Sequence, residues 1–323
     1  MRLVTFQVGK RPCLGAVKGQ WVVDIGKVIG ILAKHQVPDD LASRASFQDA
    51  AQAVLAAGAA PRDMIALLAH GEAWRRALDE VLSALADLLG PDRAPRGLMT
   101  PLVKTRLRAP ILRPDKITCV GRNYAAHAQE SRVEVPTQPV FFLKSSNTIV
   151  GPGDPIVLPP NSTQVDYEAE LAVVIGEAGR RIPEEQAYEH IAGYMLLNDV
   201  SARDMQYSDT QWFRGKSCDT FAPAGPWIVT KDEIPDPHTL RLSLTLNGET
   251  MQDANTRDMI FNVPYLVSYL SQSLTWEVGD LISTGTPEGV GVRRNPPVFL
   301  KPGDTVSITV EKVGTLTNPV VGP

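Results

Sequence analysis

Residues 165–176 read VDYEAELAVVIG. The apolar, β-branched run with a glycine at its end is a strand, but Asp166, Glu168 and Glu170 occupy every second position. Side chains on a strand alternate faces, so the three carboxylates share one face and Tyr167, Ala169 and Leu171 the other. Like charges on one face of a sheet repel and weaken pairing. Two readings account for the row. It is a solvent-facing strand edge whose charges block aggregation, or a set of hard oxygen ligands facing a cation.

Working outward, the chain on the C-terminal side of Ile117 keeps this β-rich texture. ITCVG, PVFFLK, GYMLLNDV, GPWIVT, LRLSLTLNGE, DLISTGTP and DTVSITVEKVGTLTNPVV alternate apolar with hydroxyl or β-branched residues, and Pro, Gly and Asn punctuate them. That pattern predicts a large mixed or antiparallel β-fold, sandwich-like or barrel-like, with PYLVSYLSQSLT as its one clear helix. On the N-terminal side, residues 1–25 predict a small antiparallel hairpin. Residues 45–90, rich in Ala and Leu at helical spacing, predict two or three amphipathic helices broken by Pro61 and closed by Gly90 and Pro91. Residues 91–116 carry five prolines and read as an irregular linker. The division expected is an N-terminal domain over 1–110 and a catalytic domain over 111–323, in an α+β, β-rich fold.

The 323 residues are 43% hydrophobic and 21% charged, with a net charge of −4. That composition supports a well-filled globular core and offers no basic footprint for nucleic acid. No apolar run reaches bilayer-spanning length, and the opening MRLVTFQVGK lacks a signal peptide's apolar core. Cys13, Cys119 and Cys218 are widely spaced and odd in number, which reads as reduced thiols in a cytoplasmic protein.

Three further stretches carry chemistry. In MLLNDVSARD, Asp199 ends an apolar strand and Ser201 is a candidate N-cap for the turn holding Arg203. Glu168, Glu170 and Asp199 together would make an oxygen-only site that selects Mg²⁺, Mn²⁺ or Ca²⁺ over zinc or copper and leaves positions open for a chelating substrate. Asp166 then supports a ligand or faces solvent. In CVGRNYAAHAQE, a strand and glycine turn lead through Asn123, a candidate cap, into a short helix that places His127 and Glu130 three apart on one face. A glutamate on one imidazole nitrogen fixes the tautomer and leaves the other nitrogen as a base for water; a surface ion pair is the plainer reading of the same spacing. FRGKSCDTFAPAGPW puts Lys216 in a glycine-flanked loop, either solvated or donating to developing negative charge. STGTPEGVG offers hydroxyl and backbone N–H groups for a carboxylate, without the spacing or lysine of a nucleotide-binding loop.

Taken in order, KITCVGRNYAAHAQE, DYEAEL, LLNDVSARDMQ, RGKSCDTFAPAGPW, TGTPEGVG and FLKPGDTVSITVEKVGTLTNPV resemble the fumarylacetoacetate hydrolase family, especially its short bacterial and mitochondrial branch, over about residues 111–321. The resemblance implies mixed β-sheets rolled into a distorted barrel, and a homodimer acting on a small oxo acid. It implies Mg²⁺ or Mn²⁺, with Ca²⁺ also compatible, held by Glu168, Glu170 and Asp199, and water activation by His127 and Glu130. It further implies that Arg122, Arg203, Gln206, Lys216 and Thr286 hold the substrate, Lys216 also serving the oxyanion. The activity implied is hydrolysis of a carbon–carbon bond in a 2,4-dioxo or acylpyruvate-like acid. Decarboxylation of an oxaloacetate-like acid and hydration or dehydration at the same site are the alternatives. Cys218, where many relatives carry Phe, and Ala126, where an acidic residue is common, depart from the pattern without touching the ligands.

Overall fold

The computed structural model describes residues 1–130 and 134–323. The chain forms two compact units, Met1–Ile111 and Leu112–Pro323.

In the first unit the hairpin expected at the N-terminus extends into a meander. Strands Arg2–Val8, Arg11–Lys18, Trp21–Asp24 and Met99–Pro101 pair antiparallel in that order, and Leu107–Arg108 also pairs antiparallel with the first, at Thr5 and Phe6. Gly9 and Gly19 open the two tight turns with φ of 58° and 56°, a conformation that glycine adopts without a Cβ penalty. The segment 91–116 therefore supplies two strands rather than a linker alone; Pro101 closes the first of them, and Pro95, Pro110 and Pro114 lie outside both. Asp24 ends the third strand and caps helix Ile25–Ala33 by accepting the Lys27 N–H at 3.0 Å. The alanine- and leucine-rich stretch forms helices Ala45–Ala56, Met64–Leu68 and Gly71–Arg93. The last runs across a kink at Gly90, whose φ of 55° interrupts the helix where a stop is expected. Trp74 ties the first and third of these together by donating to the Val54 carbonyl.

The second unit is built on two sheets. The larger orders strands Ala222–Thr230, Ile191–Asn198, Ala169–Ile175, Leu281–Ser283, Ile117–Gly121 and Val140–Lys144; all neighbours are antiparallel except Leu281–Ser283 with Ile117–Gly121. The smaller is an antiparallel run of Glu249–Asn255, Arg241–Leu246, Thr305–Val310 and Gly314–Val321, with Ile156–Val157 parallel at its edge. Leu171, Val173 and Leu196 from the larger sheet join Leu242, Leu244, Ile308 and Leu316 from the smaller in one continuous core. Helix Val263–Ser271, capped by Asn262 through the Tyr265 N–H, lays Leu266, Val267 and Leu270 onto it. The fold is thus α+β and rich in sheet, and among the described residues the sheets do not close into a barrel. No described helix is long and apolar enough to cross a membrane.

Candidate active site

The strand expected over 165–176 breaks in two. Val165–Asp166 pairs with Ser201–Ala202, and the chain re-enters the larger sheet as Ala169–Ile175. Asp166, Glu168 and every residue of that second strand are buried, so the solvent-facing reading of the carboxylate row fails. Register does the positioning. Ala169 lies opposite Asn198, which brings Glu168 beside Asp199; the Asp199 N–H donates to the Glu168 carbonyl at 2.9 Å and the Glu168 N–H to Asn198 Oδ1 at 3.0 Å. Carboxylate oxygens of Glu168, Glu170 and Asp199 all lie within 4.8 Å of one another.

Burying that much like charge requires compensation. Lys216 Nζ lies 2.6 Å from Glu168 Oε2 and 2.7 Å from Asp199 Oδ2, and Lys144 Nζ lies 2.6 Å from Asp199 Oδ1. Arg203 donates to Glu168 Oε1 at 2.6 Å, to Asp166 Oδ2 from Nε at 2.9 Å, and to Gln206 Oε1 at 3.0 Å. Asp166 lies outside the ligand group, clamping Arg203 while it accepts the N–H groups of Gly291 and Val292. Burial would push the Glu168 carboxyl up, yet the Arg203 and Lys216 charges outweigh it and hold Glu168 well below the usual carboxylate range. Glu170 goes the other way. Burial, then repulsion from Asp199 and Glu168, drives it well above the usual range, against the help of a Ser283 hydroxyl and the Gly285 N–H. Burial works against a charged Lys216, but Asp199 and Glu168 more than restore it and hold the ammonium firmly protonated.

This arrangement fits a divalent cation. Its donors are three hard oxygens, and among the described residues no cationic side chain pairs with Glu170, so that carboxylate has everything to gain from a metal.

His127 stands on helix Ala125–Glu130, with Nδ1 2.8 Å from Glu130 Oε1. An ionised carboxylate only accepts, so Nδ1 carries the proton and Nε2 is the free base. The second Glu130 oxygen takes the Gly289 N–H at 3.0 Å. His127, Glu168, Glu170, Arg122, Arg203, Gln206, Lys216 and Thr286 line one cleft. Glu130 reaches it through His127, and Asp199 through its neighbours. Arg122, at φ 59°, sets its guanidinium 5.7 Å from the Trp212 ring, and Thr286 Oγ1 accepts from Gln252.

Three local expectations change. Ser201 is no cap: Ala202 precedes helix Arg203–Ser208, and the Ser201 hydroxyl donates to the Asp199 carbonyl. Asn123 bonds across the fold instead of capping, giving its amide to the carbonyls of Phe261 and Thr284 and accepting the Phe261 N–H. Lys216 ends the one-turn helix Phe213–Lys216, buried by its ion pairs, not solvated in a loop. Sequence reasoning passed over Lys144 and Gln252. The signal for Lys144 was available: a lone charge closing the apolar run PVFFLK.

Comparison with known proteins agrees with this architecture. A profile of the Fumarylacetoacetate (FAA) hydrolase C-terminal family matches residues 116–321. The chain belongs to the fumarylacetoacetate hydrolase family, whose matched members are enzymes. It is 46% identical over 263 residues to the Bos taurus "Oxaloacetate tautomerase FAHD2A, mitochondrial", covering 81% of this chain and 80% of the relative. It is also 46% identical over 238 residues to the 2,4-didehydro-3-deoxy-L-rhamnonate hydrolase of Sphingomonas sp. (strain SKA58), covering 72% and 82%. Among solved structures it resembles maleylpyruvate hydrolase from Sphingobium sp. SYK-6 in complex with manganese(II) and pyruvate, with a TM-score of 0.71, 32% identity and coverage of 100% and 99%. The first relative also corrects an expectation. A cytoplasmic location does not stand beside so similar a protein whose name places it in mitochondria. Unpaired cysteines separate reducing from oxidising surroundings and do not tell one reducing compartment from another.

Proposed function

We propose that the protein hydrolyses a carbon–carbon bond in a 2,4-dioxo acid of acylpyruvate type, using Mg²⁺ or Mn²⁺ held by Glu168, Glu170 and Asp199. What carries this reading is the His127–Glu130 pair opening onto the same cleft as the three carboxylates. When bound, the cation supplies Lewis acidity that polarises an oxo group of the acid. Arg122, Gln206 and Thr286 hold the substrate's carboxylate and oxo oxygens. Nε2 of His127 removes a proton from water while Glu130 keeps Nδ1–H in place and balances the imidazolium. The hydroxide attacks the distal carbonyl. Lys216, two of whose three N–H groups are engaged by Glu168 and Asp199, turns the third to the developing oxyanion, and Arg203 adds its charge. As the carbon–carbon bond breaks, the departing carbon takes its proton from His127. The products are a carboxylic acid and a 2-oxo acid.

A second reading has specific support in the 46% identity to an oxaloacetate tautomerase. There His127 would shuttle a proton between carbon 3 and the 2-oxo oxygen, with no attack by water. Purified protein loaded with Mg²⁺ or Mn²⁺ is given acylpyruvates and oxaloacetate, and products are followed by NMR. Cleavage of an acylpyruvate supports the hydrolase. Faster keto–enol exchange of oxaloacetate with no cleavage supports the tautomerase, and release of CO₂ a decarboxylase. The family reading also carries assembly as a homodimer, which light scattering checks.

A further inference from the structure

The cleft holds a cation that the chemistry above leaves unused. Arg293 lines it beside Val290 and Val292, is exposed, and its guanidinium has no hydrogen-bond or ion-pair partner among the described residues. Its backbone is not free to wander. The N–H groups of Gly291 and Val292 are held by Asp166, the Arg293 N–H bonds to the Val290 carbonyl at 3.1 Å, and a Cβ at position 291 would meet Val298 O at 1.9 Å. The mainchain is fixed and the charged side chain alone can adapt.

Charge balance says what that side chain awaits. With Asp166, Glu168, Glu170 and Asp199 ionised, the buried centre has four negative charges against the three positive ones of Lys144, Arg203 and Lys216. A divalent cation turns this into a single positive excess, which Glu130 beside His127 offsets, and Arg122 and Arg293 each add one positive charge at the cleft wall. One substrate carboxylate, next to the oxo group and held by Arg122, leaves the rest unmet. A second carboxylate at the far end of the substrate answers it, and the unpaired guanidinium offers that group a two-pronged donor.

We propose that Arg293 binds a second, distal carboxylate, so that the site selects dicarboxylic over monocarboxylic oxo acids. The inference rests on reading the cleft as an oxo-acid site, and it holds for a hydrolase and a tautomerase alike.

Its test is binding, not turnover. 2-Oxoglutarate and 2-oxopentanoate have the same chain length and differ only in a terminal carboxylate or methyl; neither has a second oxo group at which acyl cleavage could occur. Calorimetric titration into the Mg²⁺-loaded protein should show 2-oxoglutarate binding about tenfold more tightly, the span of one charge-assisted pair near solvent. Arg293→Gln should remove that preference by weakening 2-oxoglutarate alone, and Arg293→Lys should keep part of it. Equal binding of the two acids by the native protein, a preference that survives in Arg293→Gln, or a parallel loss of both ligands would each overturn the proposal. Failure of the hydrolase reading shows instead as uncleaved acylpyruvate, with the selectivity intact.

Discussion

Glu130 holds His127 with one oxygen and the backbone of Gly289 with the other, at 2.8 and 3.0 Å. Both contacts are donors, so only a group with two acceptors satisfies them together. A glutamine has one acceptor and one donor. His127→Ala should lower kcat by about two to four orders of magnitude, the usual span for losing a general base. Glu130→Gln should cost about one to two orders, because an amide that keeps Gly289 presents its NH₂ to Nδ1 and flips the tautomer. Metal affinity, measured by Mn²⁺ titration, should stay constant in both. A full-rate His127→Ala enzyme would remove water activation from the mechanism.

The ligand carboxylates should differ in what their loss does to the metal-free protein. Glu168 neutralises Arg203 and Lys216 at once, so Glu168→Ala leaves two buried cations short of a partner and should cost about 3–5 kcal/mol. Among the described residues no cationic side chain pairs with Glu170, which suffers its neighbours' charge, so Glu170→Gln should be neutral or slightly stabilising without metal. Both should lose Mg²⁺ binding. Thermal melts with and without chelator separate the two effects; equal destabilisation by both substitutions would contradict the charge pattern.

Metal affinity should climb with pH. Glu170 takes up a proton more readily folded than unfolded, and a ligand must shed it before coordinating. Titrations in buffers of different ionisation enthalpy should therefore show proton release on binding that falls away as pH rises. The same shift has a sign in the metal-free protein. Because the folded carboxyl is raised, its contribution to stability is complete below the unfolded value and fades as pH rises toward the folded one. Glu168, depressed by its cations, contributes the opposite: its stabilisation is present above the unfolded value and lost only in strong acid. A metal affinity that stays flat as pH rises would speak against a protonated Glu170.

Cys218 should be dispensable. Burial raises its thiol, which packs against the core and, among the described residues, donates to the Arg214 carbonyl at 3.6 Å. Cys218→Ser should keep kcat/KM within about twofold, the size of effect expected of an unreactive thiol. Inactivation by a thiol reagent from which substrate protects would argue otherwise.

How much of this was legible beforehand depends on the kind of force involved. The strand runs and the grouping of Glu168 with Glu170 followed from period-two alternation, and the late helix from apolar residues three and four apart; both signals are local. The i, i+3 spacing of His127 and Glu130 was equally local, and the pair forms as drawn. What escaped was set by distant chain. Lys216 looked like loop lysine because nothing within ten residues reveals that two carboxylates 17 and 48 positions away will close on it. Asn123 resembled a cap since its partners, Phe261 and Thr284, lie more than a hundred residues on. Asp166 was set apart from the ligands as a supporting or surface group, but its spacing did not show that the chain turns at Tyr167–Glu168 and sends it to Arg203.

Asp166 and the glycine loop it grips also bear on how such an enzyme acquires new substrates. On that loop the carboxylate takes only mainchain N–H groups, those of Gly291 and Val292, which every amino acid except proline supplies. Side chains at 290, 292 and 293 face the cleft from a backbone that is pinned without reference to what they are. A library randomised at those three positions can therefore redraw the substrate's outline while Arg203 and the ligand carboxylates stay where they are. Randomising 291 as well would ruin the clamp, since any Cβ there collides with Asp166 Oδ1 at 2.6 Å. The loop separates the tuning of specificity from the upkeep of the reaction centre, and directed evolution should find its gains on one side of that divide.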